Sequence, residues 1–309
     1  MGGDSSAPLL WINSIRLCYK KNKLNIYTWE TKNIPIGVLG MVDDTISISN
    51  CGIQSIKKNA IINSFIENQR LTLSHDKSAV VHVGNVGKCK EPCPRLKVHD
   101  QNMKIEKSVK YLGDKVTTTG NVKDTVENRR SEGWGRVSQI VGLLAEIPSG
   151  KYRIQIGLQL RQSKLVNGML YNSEAWTSIT ERELLRMEQV DFSLTRALMG
   201  GGHSKCPIEF YLLELGLLKL CHIIMKRRLI FHHHILTRNN KETIKKIYLK
   251  QKEVSCRGDW YQTLLKDFDF IGEPIDDEAI KNIDKLTYKR IIQEKVEKAA
   301  LETYMKRKN

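Results

Sequence analysis

The hydrophobic period of this chain changes near residue 121, and that change restricts the fold more than any single motif does. Before it, short apolar stretches dominate. Leu24–Trp29 alternates like a strand, and Gly37–Val42 and Thr45–Ser49 are two brief apolar runs with Asp43 and Asp44 between them, the pattern of a hairpin. Ile53, Ile56, Ala60, Ile61 and Phe65 then keep helical spacing, and Ala79–Val83 returns to strand character. Pro8 to Tyr19 reads as a buried helix. After the change every segment is helical. Val126, Val137, Ile140, Val141 and Leu144 form one apolar face, and Ile154 to Leu170 forms another. Thr180-Glu181-Arg182-Glu183 has the capping-box pattern of a helix start, and that helix is expected to end at Gly200-Gly201-Gly202. Helices are also expected over 208–236, 240–252 and Lys281 to Lys306. Strand, strand, helix, strand followed by helices alone predicts the α+β class, with expected divisions at 1–116, 117–239 and 240–309.

Composition narrows the partners. Fifty Lys and Arg oppose 34 Asp and Glu, a net charge of +16 that favours polyanions such as nucleic acid. No apolar run approaches the ~20 residues of a spanning helix, so no membrane partner is expected. The seven cysteines are odd in number and mostly scattered, which points to reduced thiols inside a cell.

Adjacent carboxylates at a turn have an ordinary explanation, because Asp tolerates turn geometry. Asp43 and Asp44 stand out because apolar strands on both sides would hold their oxygens at one edge of a sheet with a helix behind, a rigid mount for a hard cation such as Mg²⁺. His82, Cys89, Cys93 and His99 contain the donor set of a zinc site, but their spacing is unorthodox and Pro92 and Pro94 flank the second thiol. A turn between strands is the simpler reading, and zinc is not expected. Lys226-Arg227-Arg228 with His232-His233-His234 reads as a polar or phosphate-facing surface, since three consecutive His cannot share one helix face. Arg129, Arg130, Arg136, Lys151, Arg153, Arg161 and Lys164 recur on successive helical segments and make a collective basic surface suited to phosphate contacts.

Four motifs in order carry a resemblance. Met41-Val42-Asp43-Asp44, Leu73-Ser74-His75-Asp76-Lys77-Ser78, Lys110-Tyr111-Leu112-Gly113 and Leu170-Tyr171-Asn172-Ser173-Glu174-Ala175-Trp176 resemble segments of the reverse transcriptases of non-LTR (LINE-type) retrotransposons. The counterparts there are an aromatic-x-Asp-Asp element, Leu-Asn-x-x-Lys-Thr, the Lys-Tyr-Leu-Gly primer grip and a Tyr-Gly-x-Glu-x-Trp segment of the thumb region. Met41 replaces the usual aromatic. The resemblance implies the second half of a polymerase palm, an antiparallel sheet with packed helices, followed by a thumb-like region and a helical C-terminal extension. It implies two-metal nucleotidyl transfer with Mg²⁺ or Mn²⁺, an RNA template, a DNA primer and deoxynucleoside triphosphates. Asp43 and Asp44 would be metal ligands, Lys77 a donor near the triphosphate, Lys110 to Gly113 the primer grip, and the basic helices a track for the template–primer backbone. Gly3 to Trp11 resembles an element that lies between the first catalytic Asp and the Asp pair in that family. A truncated polymerase is therefore expected, with a non-catalytic nucleic-acid-binding remnant as the alternative.

Overall fold

The computed structural model describes residues 27–28, 35–36, 38–41, 44–49, 51–84, 95–98, 100–177, 179–200, 206–255 and 258–306. The helix expected over Pro8 to Tyr19 and the Gly3 to Trp11 element lie outside them. The protein is α+β and divides into two compact units, Met1–Gly120 and Asn121–Asn309.

In the first unit, short strands pair two by two. β1 (Tyr27–Thr28) runs antiparallel to β2 (Pro35–Ile36), and β3 (Val38–Met41) to β4 (Asp44–Ser47). Helix α1 (Gly52–Asn68) follows, and then β5 (Ala79–Val80), which pairs in parallel with β8 (Lys104–Ile105). β6 (Lys97–Val98) pairs with β7 (Gln101–Asn102), and β9 (Ser108–Tyr111) with β10 (Asp114–Thr117), both antiparallel. Among the described residues these pairs do not join into one antiparallel sheet. Strands of two to four residues offer few ladder bonds, so side chains carry much of the wiring. Lys58 on α1 donates to the carbonyl of Ile48, just past β4, and Asn59 and Asn63 donate to the carbonyl of Lys97 in β6 at 2.7 and 2.9 Å. His75 reaches the carbonyl of Asn102 in β7 at 2.9 Å. Helix α1 is thus tied to the end of β4 and to β6.

Among the described residues the second unit contains helices and no strands. Its helices are α2 (Lys123–Ala145), α3 (Lys151–Leu160), a π-helical segment (Arg161–Val166) that runs into α4 (Asn167–Met169), α5 (Glu181–Leu198), α6 (Ile208–Glu214), α7 (Leu220–Leu236), α8 (Thr243–Val254), α9 (Trp260–Phe270), α10 (Asp277–Asn282) and α11 (Lys285–Lys306). The capping box forms as the sequence predicts: Thr180 accepts from the Glu183 amide at 3.2 Å, and Glu183 accepts from the Thr180 amide at 2.9 Å. The helix expected over 208–236 is two helices. Gly216 takes φ +62, its amide bonds to Leu213 and that of Leu217 to Leu212, the bond pattern of a left-handed helix end.

Val137, Ile140 and Leu144 of α2 pack on Met187, Val190 and Leu194 of α5, with Leu165, Val166 and Met169 alongside. A Cβ on Gly133 would lie 2.8 Å from the Met169 sulfur and 3.1 Å from Val190, so a bare backbone sets the closeness of that crossing. Helix α7 is the spine. Leu220, Ile223 and Ile224 enter this first core, whereas Leu229, Ile235 and Leu236 enter a second with Tyr248, Trp260, Leu264, Phe268, Tyr288 and Val296. Position 239 therefore falls just after a helix shared by both cores. Among the described residues no helix is long and apolar enough to cross a membrane.

Candidate functional site

Asp44 opens β4 and pairs in register with Met41, the last residue of β3, so it stands at the end of the hairpin, where its side chain is exposed. Asp43 lies outside the described residues. Lys110 and Tyr111 close β9, and Leu112 and Gly113 turn the chain into β10 with φ of +48 and +88. Positive φ at both central residues of a two-residue hairpin is the signature of a type I′ turn, whose twist matches the strands it joins. Glycine takes that geometry without strain, whereas leucine does not. Across the ladder Lys110 faces Lys115, which concentrates positive charge one rung from the tip.

The two hairpins are electrostatically linked. Partial burial, and secondly the Asp44 carboxylate, push the Tyr111 phenol above its ordinary value. The carboxylate of one motif therefore lies within Coulombic reach of the side chain at the tip of the other. Lys77 is exposed in the turn at 75–77 that precedes β5. The Asp44 oxygens are hard donors of the kind Mg²⁺ takes, and their exposure leaves them open to it. Among the described residues no cluster of three or more His, Cys, Asp or Glu side chains could hold a metal ion. Cys89, Cys93 and His99 lie outside those residues, while His82 is half-buried just after β5.

The basic residues divide. Lys151 and Lys164 are exposed, and Arg153 is half-buried. Arg130 pairs with Glu127 at 2.5 Å, and Arg136 with Glu132 at 3.1 Å, both on α2. Arg129 is buried, with its guanidinium 5.5 Å from the Tyr171 ring centre. Arg161 points inward. Its Nε and Nη2 donate to the two carboxylate oxygens of Asp191 at 2.7 and 2.6 Å, and Nη2 also donates to the carbonyl of Leu218 at 3.3 Å. With both groups buried, Arg161 ties the π-helical segment to α5 and has no open face for phosphate.

Half of the densest basic run belongs to the interior, which corrects the expectation of a phosphate-facing surface at Arg228, His232 and His233, while Lys226, Arg227 and His234 are half-buried. Arg228 donates to Asp267 at 2.6 Å, and burial raises the Asp267 carboxyl to about 6 although Arg228 pulls the other way. His232 bonds the Tyr248 hydroxyl at 2.9 Å, and that hydroxyl donates to Asp277 at 2.8 Å. Burial works to raise Asp277, but hydrogen bonds from His232, Lys252 and Tyr248 prevail and hold its carboxyl well below the usual range. His233 donates to the carbonyl of Ile283 at 2.8 Å and stacks on Tyr288. The cause is the central position of α7, because a helix packed on several sides buries consecutive residues and each polar one must find a partner.

The 170–176 segment is a turn that this run clamps. Arg227 donates to the carbonyl of Leu170, Arg228 to that of Trp176 at 3.4 Å, and the Trp260 indole to that of Glu174 at 2.7 Å. Asn172, where the resembling family has Gly, holds φ +60 and ψ +14. The left-handed requirement at that position is legible in the sequence, since Asn is the side chain that best replaces Gly there. The buried partners Asp191, Asp267 and Asp277 carried no comparable signal. Comparisons with protein-family models, with curated proteins and with solved structures gave no match to this chain.

Proposed function

We infer that this chain is part of a LINE-type reverse transcriptase: the Met1–Gly120 unit would be the C-terminal portion of the palm, and the helices after it a thumb-like region and its extension. The observation that carries this reading is the nearness of two hairpin ends within one unit. One presents Asp44 at its end, the other bears Lys110-Tyr111-Leu112-Gly113 on a left-handed turn, and the Asp44 charge reaches Tyr111. In such a polymerase the metal-binding end and the primer grip must be neighbours, because the primer 3′-hydroxyl reacts at the metals.

Asp43 and Asp44 would hold Mg²⁺ or Mn²⁺, which when bound activates the attacking hydroxyl and stabilises charge on the attacked phosphate. The β9–β10 tip would position the primer end, with Lys110 and Lys115 beside the backbone phosphates, and Lys77 would meet the triphosphate. Exposed Lys151 and Lys164 favour a second reading, in which the chain grips an RNA–DNA hybrid without extending it.

Primer extension on an RNA template, with Mg²⁺ or Mn²⁺ and the chain compared with Asp43→Asn and Asp44→Asn, separates the two. Extension lost in either variant supports nucleotidyl transfer. Salt-sensitive hybrid binding without extension selects the second reading, and an absence of both refutes a nucleic-acid role.

A further inference from the structure

Tyr171 is 50% exposed, although Leu170 before it and Ser173 two places after it are fully buried. Its backbone mount is rigid. Arg227 holds the Leu170 carbonyl and, at 2.9 Å, the Asn167 side-chain oxygen, while Asn172 sets the left-handed bend that follows the ring. An aromatic ring fixed in this way loses little conformational freedom when something stacks on it. Arg129 lies over the ring, and a Cβ on Gly168 would run into the guanidinium of Arg136, which places a second cation against the same helical turn. Lys164 is exposed four residues before Gly168. Glu132 pairs with Arg136 and approaches Arg129 at 3.9 Å, and Glu174 acts on Arg227, so three cations meet two anions and, with exposed Lys164, positive charge is in excess.

We propose that Tyr171 is a stacking platform for an unpaired base of single-stranded nucleic acid, with the adjoining phosphates held by Arg136 and Lys164. The proposal rests on the nucleic-acid reading above and adds the form of the ligand. A base inside a duplex hides its faces between neighbours, whereas a base in a single strand offers a π-face that an exposed ring can take, whatever the sequence. Arg129 over the ring adds a cation–π contact that keeps the ring in place.

The test is fluorescence anisotropy of the full chain with labelled oligothymidylate, with the same strand made abasic, and with an RNA–DNA hybrid. The wild-type chain is expected to bind the ordinary strand more tightly than the abasic one. Tyr171→Leu should lose roughly tenfold in single-strand affinity while its salt slope stays unchanged, because a stacked base and not a phosphate contact is removed. Tyr171→Phe should bind like wild type. Equal wild-type affinity for ordinary and abasic strands overturns the platform without any variant that could misfold. Hybrid binding with no single-strand binding removes the platform alone and leaves the proposed function standing, whereas loss of both removes the two together.

Discussion

The two units use charged residues in opposite ways. In Met1–Gly120 the motif-bearing charges lie at hairpin ends: Asp44 opens β4, and exposed Lys110 stands one rung from the β9–β10 tip. In Asn121–Asn309 several charges are internal, with Arg161 on Asp191, Arg228 on Asp267, and His232 with Tyr248 on Asp277. An exposed charge at a strand end contributes little to stability and is available for a ligand, whereas a buried pair fixes how helices pack and is costly to break. A local concentration of Arg, Lys and His is therefore a poor guide to a binding face when it falls on a central helix.

The contrast breaks most visibly at the best-buried pair. Asp191→Asn leaves the Arg161 guanidinium in the core without its counter-charge and is expected to lower stability by about 3–5 kcal/mol. The double change Arg161→Met with Asp191→Leu, which removes both charges and keeps the volume filled, should recover most of that loss. Urea unfolding followed by helical circular dichroism measures both. A single variant within 1 kcal/mol of wild type would mean that the pair does not organise the unit.

The next effect is a pH dependence confined to the helical unit. His222 is buried against Tyr304, 3.0 Å from its hydroxyl, and stacks on Phe270; burial, aided by the charge of Lys219, lowers its value to about 4. The unfolded chain takes up a proton near 6.5 that the folded chain refuses until about 4, so stability falls as pH falls through that window. The expected loss is on the order of 3 kcal/mol. Asp267, raised to about 6, acts in the opposite sense, since its stabilisation is full at low pH and is lost as pH rises through 6. The difference between wild type and His222→Gln isolates the histidine, and parallel pH–stability curves for the two proteins would count against its burial as neutral imidazole.

Legibility followed the same division. The β3–β4 hairpin, α1, the Thr180 cap and the α+β class were readable because each depends on neighbours within a few residues: period, turn chemistry and a cap three positions away. The Lys110–Gly113 motif marked a site, but not its turn type, since Leu112 is an unusual occupant of a left-handed position. The inward Arg161, Arg228 and His232 were not readable, because their partners stand 30, 39 and 45 residues away and nothing local distinguishes a solvated Arg from a paired one. The break at Gly216 was visible as a glycine, yet only the packing of α7 between two cores shows why the chain must turn there.

Smaller effects belong to the hairpin unit. Gly113→Ala places a Cβ at φ +88 and should cost the β9–β10 hairpin about 1 kcal/mol, whereas Leu112→Asn at φ +48 should gain a similar amount, because Asn tolerates the left-handed region that Leu strains to reach. Amide hydrogen exchange across Ser108–Thr117 reads both. Opposite signs at adjacent turn positions support the left-handed geometry, and equal signs contradict it.

The smallest stability change is expected at one of the two carboxylates of the proposed chemistry. Asp44→Asn alters an exposed carboxylate at a strand end, so global stability should move by no more than about 0.5 kcal/mol. Its signature should appear instead on the other hairpin. Burial raises the Tyr111 phenol first and the Asp44 charge adds to it, so removing that charge should bring the phenol down part of the way and leave the contribution of burial. Carbon-13 labelling at the tyrosine ζ position, with Tyr111→Phe to assign the resonance, follows that titration directly. A phenol that titrates identically in wild type and Asp44→Asn would mean that the two hairpins do not sense each other, and would remove the geometric basis for placing the carboxylates and the primer grip at one site.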